Sequence, residues 1–188
     1  MGENLPERIA NKIILAEDTI QQNLVRRYLE RCGHTGPFRL VPLPAKGVGG
    51  SGEKYLRDQY PRQVQACRSL LRKRADALLI VILDADMETT QHRWLQLSDA
   101  LKSASLNRRR DDEPIVVLIP KRHVETWIRA LLGDGVDEVT DYTQPTPTAK
   151  EIKDAASELY SWARPSAAPG PASPPSLTAS LPEWRKIP

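Results

Sequence analysis

Cysteine is scarce in this chain of 188 residues: only Cys32 and Cys67 occur, with no companion cysteine and no clustered histidine beside either. That excludes a zinc site built from four cysteines, and both residues read as reduced core positions. Long apolar runs are missing too. A segment such as Ala77 to Leu83 is far shorter than the ~20 residues of a membrane-spanning helix, so neither a membrane span nor a membrane partner is expected. The opening residues, Met1 to Arg8, are polar and lack an apolar signal core, which predicts a chain that stays in the cytoplasm. No sign of charge dominates: 27 Lys and Arg against 24 Asp and Glu leave a net charge of +3, a weak argument for an anionic partner.

What the chain does have is ordinary for a globular protein, with 40% hydrophobic and 27% charged residues. Its length suits one domain with a real core and is too short for two substantial ones. The positive charge is unevenly placed. Lys46, Lys54, Arg57, Arg62, Arg68, Arg72, Lys73 and Arg74 face only Glu53 and Asp58 in the same stretch. This is either a basic face for a nucleic-acid backbone or a solvated helix surface.

Patterning predicts alternating strands and helices. Lys12–Ala16 is a short apolar run rich in β-branched residues, and Asp18 or Thr19 can cap a helix running to about Gly33. Phe38–Val41 reads as a second strand, followed by a glycine-rich loop and a long helix to about Arg74, with a break expected at Pro61. Ala77–Leu83 is apolar at every position, as a central parallel strand covered on both faces requires. A helix from Thr89, a strand between Pro114 and Pro120, a helix from Val124 stopped at Gly133, and a helix over 148–164 complete the pattern. The expected fold is therefore α/β, a parallel central sheet flanked by helices, with any ligand crevice at the carboxyl ends of the strands. Residues 1–164 form the expected domain, 165–176 a Pro/Ala/Ser-rich linker, and 177–188 a short segment that docks on the body or on a partner.

The acids concentrate at predicted strand ends. Asp84 and Asp86 leave the apolar third strand two residues apart, which in extended chain puts both carboxylates on one side, and Glu17 and Asp18 end the first strand. Neighbouring strand ends would gather these carboxylates in one crevice, where they repel each other unless a hard cation such as Mg²⁺ or Mn²⁺ joins them. Other readings stand beside this one. Glu17 and Asp18 can serve as helix caps, Asp84 and Asp86 as turn residues, Glu125 as a partner of Arg122 or Arg129, His123 as a surface residue or a general base, and Trp127 as core. The glycines of 47–52, with Lys46 and Lys54, can offer N–H groups and charge to a phosphate, although Gly52-Glu53-Lys54-Tyr55 lacks the order of a P-loop.

A glutamate after the first strand, with Asp84 and Asp86 after a later one, resembles the Toprim domain of topoisomerases, primases, recombination-mediator proteins and overcoming-lysogenization-defect nucleases. Ile119 to Trp127, Gly49 to Lys54 and Val136 to Tyr142 are similar to segments of small stand-alone bacterial Toprim-like proteins, so the resemblance spans roughly residues 12–142. It implies that Glu17, Asp84 and Asp86 hold Mg²⁺ or Mn²⁺, that Glu125 is a fourth acid and that Lys121 touches a phosphate. The expected activity is metal-dependent hydrolysis of nucleic acid, DNA before RNA, with Lys46, Lys54, Arg57, Arg62 and Arg122 holding the strand. An ATPase or other protein partner and a role in anti-phage defence follow by analogy only. Two alternatives remain. One is an inactive Toprim relative that binds nucleic acid or acts as a scaffold, since Asp18 and Met87–Thr89 stand where the family often places glycine. The other is a receiver-like phosphorylation switch, for which the separation of 67 positions from Glu17 to Asp84 is too long.

Overall fold

Leu78–Ile82 is buried at every position, and the rest of the molecule is arranged around it. The computed structural model describes residues 11–44, 52–73, 76–170 and 173–188. Strand and helix alternate: β1 (Lys12–Ala16), α1 (Thr19–Arg31), β2 (Phe38–Leu40), α2 (Gly52–Arg72), β3 (Leu78–Ile82), α3 (Thr90–Ser103), β4 (Ile115–Leu118), α4 (Val124–Leu131), α5 (Ala149–Trp162) and α6 (Pro175–Trp184). The four strands form one parallel sheet in the order β2-β1-β3-β4.

Strand alternation sorts the core into two layers. Ile13, Leu15, Leu79, Val81, Ile115 and Val117 meet Leu56, Tyr60, Val64 and Leu97 of α2 and α3. Ile14, Ala16, Ile80, Ile82, Val116 and Leu118 meet Leu24, Trp127, Leu159 and Trp184 of the other four helices. The apolar run of β3 is thus explained by two hydrophobic neighbours rather than one.

The break expected at Pro61 does not occur, and α2 continues to Arg72 with the proline inside it. An interior proline costs a helix about 3 kcal/mol, yet Leu56, Tyr60, Val64 and Cys67 are buried on both sides of it and hold the helix against the sheet. The carboxyl-terminal residues dock on the body, one of the two places expected for them, and their helix begins two residues earlier than the expected boundary. Helix α6 starts at Pro175, inside the segment read as a linker, and Leu177, Leu181, Trp184 and Ile187 enter this chain's own core.

Position explains that burial. β4 is an edge strand, and α6 lies along it. The Glu183 carboxylate accepts the Val117 N–H at 3.0 Å and an Arg109 N–H at 2.7 Å. Ser176 Oγ accepts the Lys121 N–H at 3.1 Å and the Trp127 indole N–H at 2.8 Å. Backbone donors that would otherwise invite another strand are covered. Among the described residues no helix is long and apolar enough to cross a membrane.

Candidate functional site

The sheet order creates a switch point between β1 and β3. From β1 the chain goes through α1 to β2 on one side, while β3 leads through α3 to β4 on the other. Crevices form where such connections diverge, at the carboxyl ends of the strands. Ala16 and Ile82 are the last register partners there, so Glu17 and the 84–86 segment leave adjacent strands together.

At the end of β1 the two acids divide their tasks. Asp18 caps α1, its Oδ1 accepting the Gln21 N–H at 2.8 Å. Glu17 has no such use, and its Oε1 is buried without a hydrogen-bond partner among the described residues. Burial, followed by the charges of Asp84 and Asp86, pushes the Glu17 carboxyl up to about 9. Gly52, the first residue of α2, closes over it: a Cβ there would lie 3.3 Å from the Glu17 carbonyl oxygen and 3.4 Å from its Cβ. Only glycine allows that approach without displacement.

The two aspartates are brought together by a turn and not by strand alternation. β3 ends at Ile82, but hydrogen bonds continue between the two exits, Ala85 N–H to Pro120 O at 2.8 Å and Asp86 N–H to Arg122 O at 3.0 Å. Both Asp86 and Arg122 have positive φ, +53° and +75°, a conformation that asparagine and aspartate tolerate far better than most side chains. The zipper places His123, just before α4, with Nδ1 3.6 Å from Asp84 Oδ2 and 3.6 Å from Asp86 Oδ1.

Asp84 is buried, and its Oδ1 has no hydrogen-bond partner among the described residues. Burial drives its carboxyl up to about 7, against the pull of His123 and with the push of Asp18 and Glu125. His123 is raised in turn, chiefly by Asp84. Glu125 is buried in the first turn of α4 and is raised by burial and by Asp18. Carboxylates therefore outnumber cations here, and desolvation gives each of these charges a high cost.

One strong cation is present that sequence reasoning missed. Arg93, buried in α3, points Nη2 to Asp86 Oδ2 at 3.3 Å and Nη1 to Glu53 Oε1 at 3.3 Å. Arg57 adds a 3.2 Å contact to the same Glu53 oxygen, completing a chain of alternating charges from the rim of α2 to Asp86. Nothing in the sequence singles out Arg93, because its partners lie in other elements and only the packing of α2 on α3 unites them. Removing a cation from a fully buried ion pair costs about 3 to 5 kcal/mol, and with Asp86 45% exposed to solvent the cost here is about half of that. Arg93→Ala is therefore expected to lose that order of stability in urea unfolding, and Arg93→Lys to recover part of it. An Arg93→Ala variant as stable as wild type would show that the network is not needed.

The remaining predicted residues are less concentrated. Lys121 Nζ donates to the Glu88 carbonyl oxygen and Arg122 Nη1 contacts Met87 Sδ, so both flank the 86–88 turn at the mouth of the site. Lys54 pairs with Asp58 at 2.7 Å, and Arg62 is exposed on the outer side of α2. Lys46 and the glycines before Gly52 lie outside the described residues.

Among the described residues no three His, Cys, Asp or Glu side chains form a ready-made metal-ligand group. The donor chemistry nevertheless fits a hard divalent ion: all-oxygen carboxylates, two of them with buried, unpartnered oxygen atoms, on adjacent strand ends. The fold and this cluster define the class, an α/β protein with a parallel sheet and an acidic site at its switch point. No protein-family model, no curated protein and no solved structure matches the chain.

Proposed function

We propose that this protein is a Toprim-type, metal-dependent phosphodiesterase acting on nucleic acid, with DNA as the preferred substrate. The observation that carries this reading is the pair of buried oxygens without partners, Glu17 Oε1 and Asp84 Oδ1. Among the described residues eight buried side-chain polar atoms lack a hydrogen-bond partner, and these two stand apart as carboxylate oxygens at the exits of adjacent strands, where a cation would complete both. Glu17, Asp84 and Asp86 would hold Mg²⁺ or Mn²⁺. Such an ion, when bound, neutralises a phosphodiester and helps to activate water.

The chain's own residues supply the rest. Arg93 fixes Asp86 from the interior, and the Asp86–Arg122 backbone bond fixes the turn that presents it. His123, between the two aspartates, can take or return a proton at Nδ1. Lys121 and Arg122, at the mouth, suit the phosphates that flank the scissile bond. The same histidine contact favours a second reading, an inactive relative, because an imidazolium at that position balances the aspartates with no metal.

Hydrolysis of labelled single- and double-stranded DNA and RNA, with Mg²⁺ or Mn²⁺, separates the two. Cleavage is expected for wild type and should fall below detection in Glu17→Ala, in Asp84→Ala and with chelator. Cleavage that survives both substitutions or the chelator would remove the basis for the enzyme reading. Binding of nucleic acid without any cleavage would favour the inactive relative.

A further inference from the structure

α1 runs 13 residues from the acidic site to Arg31, so its far end lies about 20 Å away. There the carboxyl-terminal residues pack against α1 and α5 around a second cavity of about 230 Å³. Its walls include Tyr28, Tyr160, Arg164, Arg185, Ile187 and Pro188, and among the described residues no acidic side chain lines it. The charge here is opposite to that at the switch point.

The arginines of this cavity are held by neutral groups. Arg164 lies over the Tyr160 ring, 4.9 Å from its centroid, and donates to the Tyr160 hydroxyl at 2.7 Å. Arg185 Nε donates to the Ala163 carbonyl oxygen at 3.0 Å, and Arg31, which is not part of the cavity wall, approaches the Tyr160 ring to 5.9 Å. Among the described residues none of the three pairs with a carboxylate, whereas Arg27, Arg57, Arg68, Arg93 and Arg109 each do. Guanidinium groups fixed in this way lose little freedom on meeting an anion, and their planar donors match phosphate oxygens.

We propose that this cavity binds a small organic phosphate of mononucleotide size, with the phosphate on Arg164 and Arg185 and the organic part against the apolar wall of Tyr28 and Ile187. Charge selects phosphate over carboxylate. Two uncompensated guanidinium groups balance a phosphate monoester, which carries close to two negative charges at neutral pH, whereas a carboxylate balances only one. The volume is below that of drug-sized ligand pockets, which limits the ligand to about one nucleotide. The site is separate from the acidic cluster, so it is present whether or not the protein is a nuclease.

Cys32 provides a direct reporter, because it lines this cavity while Cys67, the other cysteine, is buried. Its labelling by a disulfide reagent in native protein, in the presence of chelator, should slow at least fivefold with millimolar AMP. Inorganic phosphate should protect less and adenosine not at all. Arg164→Gln with Arg185→Gln, both at exposed positions, should keep the native circular dichroism and lose the protection. No protection by AMP would overturn the proposal. Protection by adenosine equal to that by AMP would also overturn it, as would equal protection by inorganic phosphate or full protection in the double variant.

Discussion

In chelator at pH 8, Asp84→Asn is expected to melt higher than the wild type, and with Mg²⁺ or Mn²⁺ supplied it should show no cleavage. Asp84 is only 6% exposed, and its Oδ1 has no partner, so its charge is a net cost to the metal-free fold. Asparagine keeps the size and removes that charge. Burial raises Asp84 from 3.8 to about 7, and burial with neighbouring carboxylates raises Glu17 from 4.5 to about 9. Both groups thus hold their proton more tightly in the folded chain than in the unfolded one. Between the ordinary carboxylate range and those raised values the folded state binds more protons, so metal-free stability must fall as the pH rises through that window. Below it the contribution is fully present.

A gain on the order of 2 to 4 kcal/mol follows for the asparagine variant at pH 8, visible as a rise of roughly 4 to 16 °C in Tm. Saturating Mg²⁺ or Mn²⁺ should then raise the wild-type Tm and leave the variant unchanged, because only the former completes the site. Glu17→Gln should behave in the same direction. An Asp84→Asn protein less stable than wild type in chelator would mean that the carboxylate has a structural role, and it would count against the metal site.

Much of the fold is legible in the sequence because burial leaves a periodic trace. The unbroken apolar run of β3 announces a strand with helices on both faces, and Asp18 announces the start of α1 by the cap it provides. Pro61 misleads, since local propensity is overruled by the apolar side chains that pack on both sides of it. The sequence around Pro175 sets the helix start two residues late for a related reason. Proline, alanine and serine give the composition of a flexible segment, but the proline at the first turn of α6 is compatible with a helix start.

The site divides in the same way. Glu17 and Asp84 stand out because an acid directly after a buried strand is conspicuous, and the switch point brings them together once the sheet order is known. The approach of His123 to Asp84 and Asp86 depends on the left-handed backbone at Asp86 and Arg122, which no periodicity reports. Arg93, Glu53 and the close approach of Gly52 to Glu17 depend on how α2 and α3 are seated. Contacts between elements of distant sequence position are what a linear pattern leaves out.

The other large effect is expected at the carboxyl-terminal end. Trp184 is fully buried, 4.5 Å from Tyr28 between ring centroids, in the same core as Leu24, Trp127 and Leu159. Trp184→Ala removes the largest apolar contact of α6 and should cost about 3 to 5 kcal/mol in urea unfolding. Trp184→Phe should cost much less, because the indole nitrogen has no hydrogen-bond partner in its buried position and its loss offsets part of the lost volume. Removing residues 173–188 goes further. It takes Glu183 from Arg109 and from the Val117 N–H, takes Ser176 from Lys121 and Trp127, and opens β4 as a bare edge. Such an edge pairs with other chains, so the truncated protein should elute from size exclusion as soluble aggregate. A truncated protein that stays monomeric with wild-type stability would make α6 an accessory, and the edge strand would then need another cover.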